Sequence, residues 1–598
     1  MKIPALITTG LLVGASIAVA QTGTNARAGS DPGALPPTAA DELDVIVKYR
    51  GGKKTKDRKD RDHKVKKRLE IIGAEAVTIK KNDYKKWAKD EDVEFVELDR
   101  IVEPSMDSAE NATGISTYTN SGWDGRGVGV AVLDSGVVAS VDLATPDCSA
   151  NRVVYNEDMT GVDNGVWDLF GHGTHIAGLI AGNGWSSRGG TANCSVISYG
   201  RNGAWSSYRA WTTDLGTRGI LRGSAPGSNI VNLQVLDRYG VGRDSWVIAG
   251  IERAIALKSR YNIRVINLSL GRPVFTSYEN DPLCQAVEAA WKAGIAVVVA
   301  AGNGGRNDSF GNKGYATVTA PGNSPYAITV GAMKSYDTPG RSDDEIASYS
   351  SKGPTAIDQV VKPDIVAPGN RLVATPGYYS PLFSNNPSTV VNSWSYVNVP
   401  NGYSGMNDRY QRLNGTSMAA AVVSGVVAAM IQRDSSLTPD QVKFRLMKTA
   451  TKAFPSYSQA YDPSTRKTYT SFYDLFTVGA GYLDAAAALA SNEKIYGTAY
   501  SPAAYWDASS NSVKLRLNAV STNVVWGTSG IGSTNVVWGT NVVWGTNVIW
   551  GANVIWGTNV VWGTSFSSSF NVIWGTTSPW SASTSSGAGA MSVLISGE

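Results

Sequence analysis

The sequence predicts an α/β fold, a parallel sheet covered by helices on both faces. Three observations carry that expectation. From about Gly114 to Leu489, short apolar runs alternate with Ala-rich helical stretches; Gly129–Leu133, Asn229–Leu236, Val265–Leu270 and Ile295–Ala301 are the clearest runs. Strands buried on both faces read as continuous apolar runs, and helices between them make βαβ units. Polar residues follow directly on these runs, at the strand ends where open α/β sheets bind ligands. The third observation is bulk: 598 residues that are 42% hydrophobic and only 17% charged can bury a large core and divide into several units.

Taken in order, residues 1–20 read as a signal peptide. Lys2 precedes a largely apolar stretch, Ile3 to Ile17, and Ala18-Val19-Ala20 is a small-x-small cleavage site. Export is therefore expected, and no later segment is expected to span a bilayer. Residues 21–40, rich in Gly, Ala, Thr and Pro, read as a linker. Residues 41–106 read as a small α+β unit. It opens on the alternating strand Leu43–Tyr49, continues with a lysine-rich helix around Lys64 to Ile72, and closes on a second alternating stretch from Val93. Residues 107–490 hold the α/β domain and 491–598 a C-terminal region.

Charge and cysteines narrow the class. The net charge of +4 is unevenly spread: residues 41–100 carry 18 Lys and Arg against 15 Asp and Glu, and the rest is close to neutral. Nothing in it forms an electrostatic footprint for nucleic acid. Cys284 sits on a helix face in Leu-Cys-Gln-Ala-Val and reads as a buried small residue, which leaves Cys148 and Cys194 for one bridge.

Two long stretches interrupt the α/β pattern, Gly184–Arg222 with three tryptophans and Leu372–Leu413 with five tyrosines. Both read as structureless loops, serving either as lids or binding loops or as surface decoration. In the C-terminal region the hexapeptide Asn-Val-Val/Ile-Trp-Gly-Thr/Ala starts at Asn523, Asn535, Asn541, Asn547, Asn553, Asn559 and Asn571. An even period keeps each residue type on one face of an extended chain, so stacked short strands with a Trp ladder are expected. A low-complexity tail that never folds and a removable secretion tail are the competing readings.

Three motifs carry chemistry: Val130-Ala-Val-Leu-Asp-Ser-Gly136, Gly171-His-Gly-Thr-His-Ile-Ala-Gly178 and Asn414-Gly-Thr-Ser-Met-Ala-Ala420. They supply a carboxylate (Asp134), an imidazole (His172) and a hydroxyl (Ser417), the groups that turn a serine alcohol into a nucleophile. Of the three histidines, His63 lies in the 41–106 unit and His175 on the helix that the second motif opens, so His172 is the candidate base. Ser417 opens a helix, Met418 to Gln432, whose N-terminus favours a developing oxyanion.

At these motifs the chain resembles the subtilase superfamily of serine peptidases, and the resemblance runs from about Gly114 to Leu489. It implies a subtilisin-like fold and an Asp134–His172–Ser417 triad in the order Asp, His, Ser. It implies that Asn303 is an oxyanion donor and that His175 is structural. Gly240, Val241 and Gly242 on one side, and Ser269, Leu270 and Gly271 on the other, would sandwich an extended polypeptide substrate. Ala300, Ala301 and Gly302 would wall a roomy first pocket. Ala421 stands where the family usually has proline, a benign change near a helix start.

The same resemblance makes the 41–106 unit an inhibitory propeptide, removed by self-processing between Pro104 and Asn111. No cofactor is needed for the chemistry, and Asp142 marks a structural calcium site. Secretion is implied, with cell-surface or carbohydrate contact expected of the repeats. A dead subtilase scaffold would have lost one of the four site residues, and this chain keeps all four. The other alternative is an adhesion protein that binds through the array, its peptidase domain accessory or inactive.

Overall fold

The computed structural model describes residues 42–50, 63–69, 74–98, 113–145, 147–161, 167–187, 192–199, 205–212, 220–308, 312–336, 338, 340–378, 380–391, 410–462, 465–495, 497–507, 512–516 and 593–597. The leader, the linker, the expected processing segment and the hexapeptide array lie outside the described residues. The chain divides into two units, residues 1–102 and 103–598.

In the first unit, the alternation of Val45, Val47 and Tyr49 puts all three into one small core with Val77, Ile79, Tyr84, Trp87, Val93 and Val96. An antiparallel four-stranded sheet builds this core, in the order His63–Leu69, Ala74–Lys80, Glu42–Tyr49, Val93–Leu98. The short helix Tyr84–Ala88 covers it with Tyr84 and Trp87. The lysine-rich stretch is thus a strand, His63–Leu69, and not the expected helix. It is the sheet's outer strand, where ladder bonds override lysine's helical preference and charge blunts an exposed edge.

In the second unit, each apolar run becomes a strand of one sheet. The order is Glu345–Ile346, Ile328–Lys334, Ala296–Ala300, Ile263–Leu268, Gly129–Asp134, Asn229–Gln234, Val153–Asp158, with Ile365–Pro368 also beside Ile328–Lys334. All pair parallel except Glu345–Ile346. The period-2 alternation of strands feeds two cores. Val130, Val132, Val265 and Val298 join the side covered by His172–Ala181 and Thr416–Arg433. Ala131, Leu133, Ile266 and Val297 join the side covered by Asp244–Tyr261 and Pro282–Lys292.

Thr416–Arg433 is buried along almost its whole length. By length and composition alone it would pass for a membrane span, contrary to expectation, and its place in the core explains its apolar composition. Gly184–Arg222 is not structureless either: Ala192–Tyr199 and Trp205–Thr212 pair as an antiparallel hairpin. Leu372–Leu413 contributes a small three-stranded sheet of Leu372–Ala374, Tyr410–Leu413 and Val390–Val391. The core runs past residue 490 to take in Ile495, Ala499, Ala504, Val593 and Leu594. Cys284 is free and buried, and Cys148 is disulfide-bonded.

Candidate active site

Asp134 is the last residue of the central strand Gly129–Asp134, and His172 is the first of the helix His172–Ala181. The His172 Nδ1 and the Asp134 Oδ1 lie 2.8 Å apart, with Asp134 fully buried and His172 nearly so. Glycine on either side of the histidine makes the approach geometrically feasible. Gly171 takes φ +104°, and a Cβ on Gly173 would sit 2.2 Å from the Gly136 carbonyl and 3.0 Å from the Asp134 Cβ. Burial opposes charge on the imidazole, but Asp134 and then Asp168 outweigh it, so the His172 pKa is raised above its ordinary 6.5.

Asp168 had no motif to announce it, yet it ties this corner together. Its Oδ1 accepts from the Ser135 hydroxyl at 2.8 Å and the Gly171 N–H at 2.6 Å, and its Oδ2 from the Thr174 N–H at 2.7 Å. The Ser135 hydroxyl in turn accepts from the Gly173 N–H at 3.0 Å. The end of the strand and the start of the helix are thus joined through two side chains. A legible hint was an acid placed just ahead of a helix start. Burial raises the Asp168 pKa.

Ser417 is the second residue of Thr416–Arg433 and is half-buried. Its hydroxyl donates to the Ser269 carbonyl at 3.1 Å, and the Ser269 hydroxyl donates to the Ser417 carbonyl at 2.8 Å. Asn303 accepts through Oδ1 from the Thr416 N–H at 3.0 Å and the Thr416 hydroxyl at 3.1 Å. That fixes the amide so that Nδ2 is the atom left to donate. His175 is fully buried, its Nε2 2.9 Å from the Gln411 carbonyl; burial lowers its pKa to about 3 and keeps it neutral.

Of the expected substrate residues, Val241, Gly242 and Gly271 are exposed, and Gly240, Leu270 and Gly302 partly so. Gly240 sits against the Phe170 ring, which would meet its Cβ at 2.8 Å. Ser269 is bound to Ser417 as described. Ala300 and Ala301 are buried. They are 3% and 0% exposed, and the Ala301 N–H and C=O are used by Val330 and Thr319. Of the three, Gly302 is the most exposed.

A calcium ion at Asp142 does not fit. The Asp142 Oδ1 accepts from the Ser186 N–H at 2.8 Å. The carbonyls of Ala144, Ser228, Asp142 and Ala181, oxygens of the kind a hard cation needs, are bonded by the buried guanidinium of Arg152. Burial lowers the Arg152 pKa to about 10, so it still supplies a positive charge at neutral pH. Among the described residues no group of three His, Cys, Asp or Glu could hold a metal ion.

Residues 125–481, more than half the chain, match the model of the Subtilase family. The chain is 33% identical over 367 residues to "Serine protease AprX" of Bacillus subtilis (strain 168), a match spanning 60% of this chain and 69% of that protein. It is 30% identical over 393 residues to "Subtilisin E" of the same organism, across 65% of this chain and 78% of that protein. A solved cold adapted subtilisin-like serine proteinase aligns at 25% identity over 55% of this chain and 84% of its own, with a TM-score of 0.36. The chain belongs to the subtilase family and is a serine peptidase of that family, with polypeptides as its substrates.

Proposed function

We propose that this is an exported endopeptidase that cuts peptide bonds through Asp134, His172 and Ser417 and an acyl-enzyme. The observation that carries the reading is the 2.8 Å Asp134–His172 contact. Asn303 supports it by presenting Nδ2 at the start of the Ser417 helix. In the reaction the Ser417 hydroxyl turns from the Ser269 carbonyl to His172, since catalytic hydrogen bonds often form only with substrate bound. His172 Nε2 takes the proton as Oγ attacks the scissile carbonyl. Asp134 holds the imidazole tautomer and stabilises its charged form. The oxyanion is met by Asn303 Nδ2 and the Ser417 N–H, each such donor being worth about 3–4 kcal/mol in the transition state. His172 then protonates the leaving amine, and water repeats the sequence on the ester.

Substrate would bind as an added strand between Gly240–Gly242 and Ser269–Gly271, main-chain bonds giving affinity and side-chain pockets giving preference. The leader at 1–20 supports export. The 41–106 unit would be an inhibitory propeptide cut by the enzyme itself, and the Trp-bearing repeats would make the surface or carbohydrate contact.

Ser417→Ala, produced in a host lacking other exported peptidases, tests the reading. Casein hydrolysis and labelling by a serine-directed phosphonylating reagent should both vanish, and the precursor should stay uncut. Maturation of that variant between Pro104 and Asn111 would remove self-processing. Residual casein hydrolysis near the unaltered rate would remove Ser417 as nucleophile.

A further inference from the structure

Residues 593–597 return to the peptidase unit from beyond the hexapeptide array, and they end on the loop that leads into Ser417. Val593 and Leu594 are 7% and 9% exposed and belong to the main core. One helical turn spans 593–596, and the Gly597 N–H closes it on the Val593 carbonyl at 2.9 Å. The Leu594 carbonyl accepts two bonds from Asn414, 3.1 Å from its backbone N–H and 3.3 Å from its Nδ2. Asn414 is 2% exposed and stands three residues before Ser417. Its Oδ1 accepts from the Arg371 N–H at 2.7 Å, and the next N–H, that of Gly415, donates to the Gly369 carbonyl at 2.8 Å.

A second anchor comes from the oxyanion side. Arg306, three residues past Asn303, donates to the Gly597 carbonyl at 3.2 Å, to the Ser348 hydroxyl at 2.7 Å and to Asp462 at 3.2 Å. Gly597 itself is shaped for the seat. It takes φ +62°, and a Cβ there would lie 2.6 Å from Asn414 Oδ1 and 2.9 Å from Asn370 Nδ2. Without this segment the Asn414 N–H loses its partner in a buried position, a cost that a loop meets by opening to water.

We infer that residues 593–597 are a clip that positions the loop carrying Ser417. The activity readout rests on the reading of Ser417 as nucleophile; the segment's seat does not. Asn414 and Gly597 act through that loop as positioning residues and take no part in bond making.

The test uses the full chain and three variants. Leu594→Glu disrupts the buried turn, Gly597→Ala drives a Cβ into Asn414, and Ser596→Ala changes an exposed residue as a control. Rates on a small peptide substrate are read alongside hydrogen exchange of the peptide covering 410–418. A displacement near 1 Å in a catalytic group can cost about 100-fold. The expected result is a kcat fall of roughly ten- to a hundredfold in the first two variants, with KM within about twofold. Faster exchange at 410–418 and an unaltered control complete it. Because Gly597→Ala removes no buried side chain, it keeps the test open should Leu594→Glu not fold. Unchanged kcat and exchange would overturn the clip. Faster turnover in the variants would also overturn it, by making the segment a plug. An unaltered chain without activity would sink the reading of Ser417 instead, and exchange alone would then decide the clip.

Discussion

Two fully buried carboxylates, Asp134 and Asp364, each face a basic side chain, and they are wired in opposite ways. Asp364 is saturated. Its Oδ2 accepts from Lys362 at 2.7 Å and the Thr329 N–H at 2.8 Å, and its Oδ1 from the Ser501 hydroxyl at 2.6 Å, with the Lys443 ammonium 3.0 Å away. Burial opposes its charge, but Lys362 and then Lys443 outweigh it, so its pKa is lowered. Asp134 is left hungry. Its Oδ1 serves His172 and the Ser135 N–H, while its Oδ2 has no hydrogen-bond partner in the described residues. On the proposed mechanism the imidazole becomes charged only during the reaction, and few other donors then compete with it for Asp134. A saturated carboxylate fixes structure, here pinning Ser501 to the strand that begins at Ile365.

The sharpest way to break this contrast is to neutralise each acid in turn. Asp134→Asn should lower kcat by about 10⁴, through loss of the imidazole's tautomer and charge stabilisation, while leaving the melting temperature nearly unchanged. Asp364→Asn should do the reverse. It strands two buried ammonium groups, so stability should fall by about 3–5 kcal/mol in denaturant unfolding, with kcat kept well below the transition. If Asp134→Asn costs more stability than Asp364→Asn, the division of labour is wrong.

A finer test is the acid limb of the rate. His172 must be neutral to accept a proton, and its pKa is raised, so activity should fall already above pH 6.5 as pH drops. Asp168 is one of the charges that raise it, so Asp168→Asn should move the limb to lower pH. A limb that stays in place would confine Asp168 to bonding the helix start.

The smallest effect concerns stability against pH. Burial lowers Lys352 to about 8 and Lys452 to about 7, against an ordinary 10.5. Between those values and 10.5 the unfolded chain binds more protons than the folded one, so both lysines make stability rise with pH. His172 has the opposite sign: its raised pKa adds stability below pH 6.5, and the gain disappears as pH rises through the folded value. A higher denaturant midpoint at about pH 9.5 than at about pH 7 is expected, and Lys452→Met should reduce the difference.

The sheet and the three motifs were readable because each is local: apolar runs became strands, and polar residues at their ends became the site. What escaped was long-range. Lys443 and Ser501 meet Asp364 from far along the chain, and Arg152 and Asp168 add Ser228, Ala181 and Ser135, from further away, to their near partners, with a single acid-before-helix hint at Asp168. His63–Leu69 is a strand where lysine-rich composition alone favours a helix, because the neighbouring strand offers a ladder. The hairpin 192–212 was hidden because a loop-like composition says little about pairing across it.

The Arg152 guanidinium differs from a bound metal ion in one respect. A bound calcium ion stabilises a fold by mass action, as the logarithm of its free concentration over its dissociation constant, and dilution or a chelator removes it. A guanidinium belonging to the chain has no free concentration to lose. The carbonyls of Asp142, Ala144, Ala181 and Ser228 keep their positive partner whatever the metal content outside. At this corner, beside the helix that begins at His172, the positive charge facing those carbonyls is part of the chain and independent of the ion supply outside.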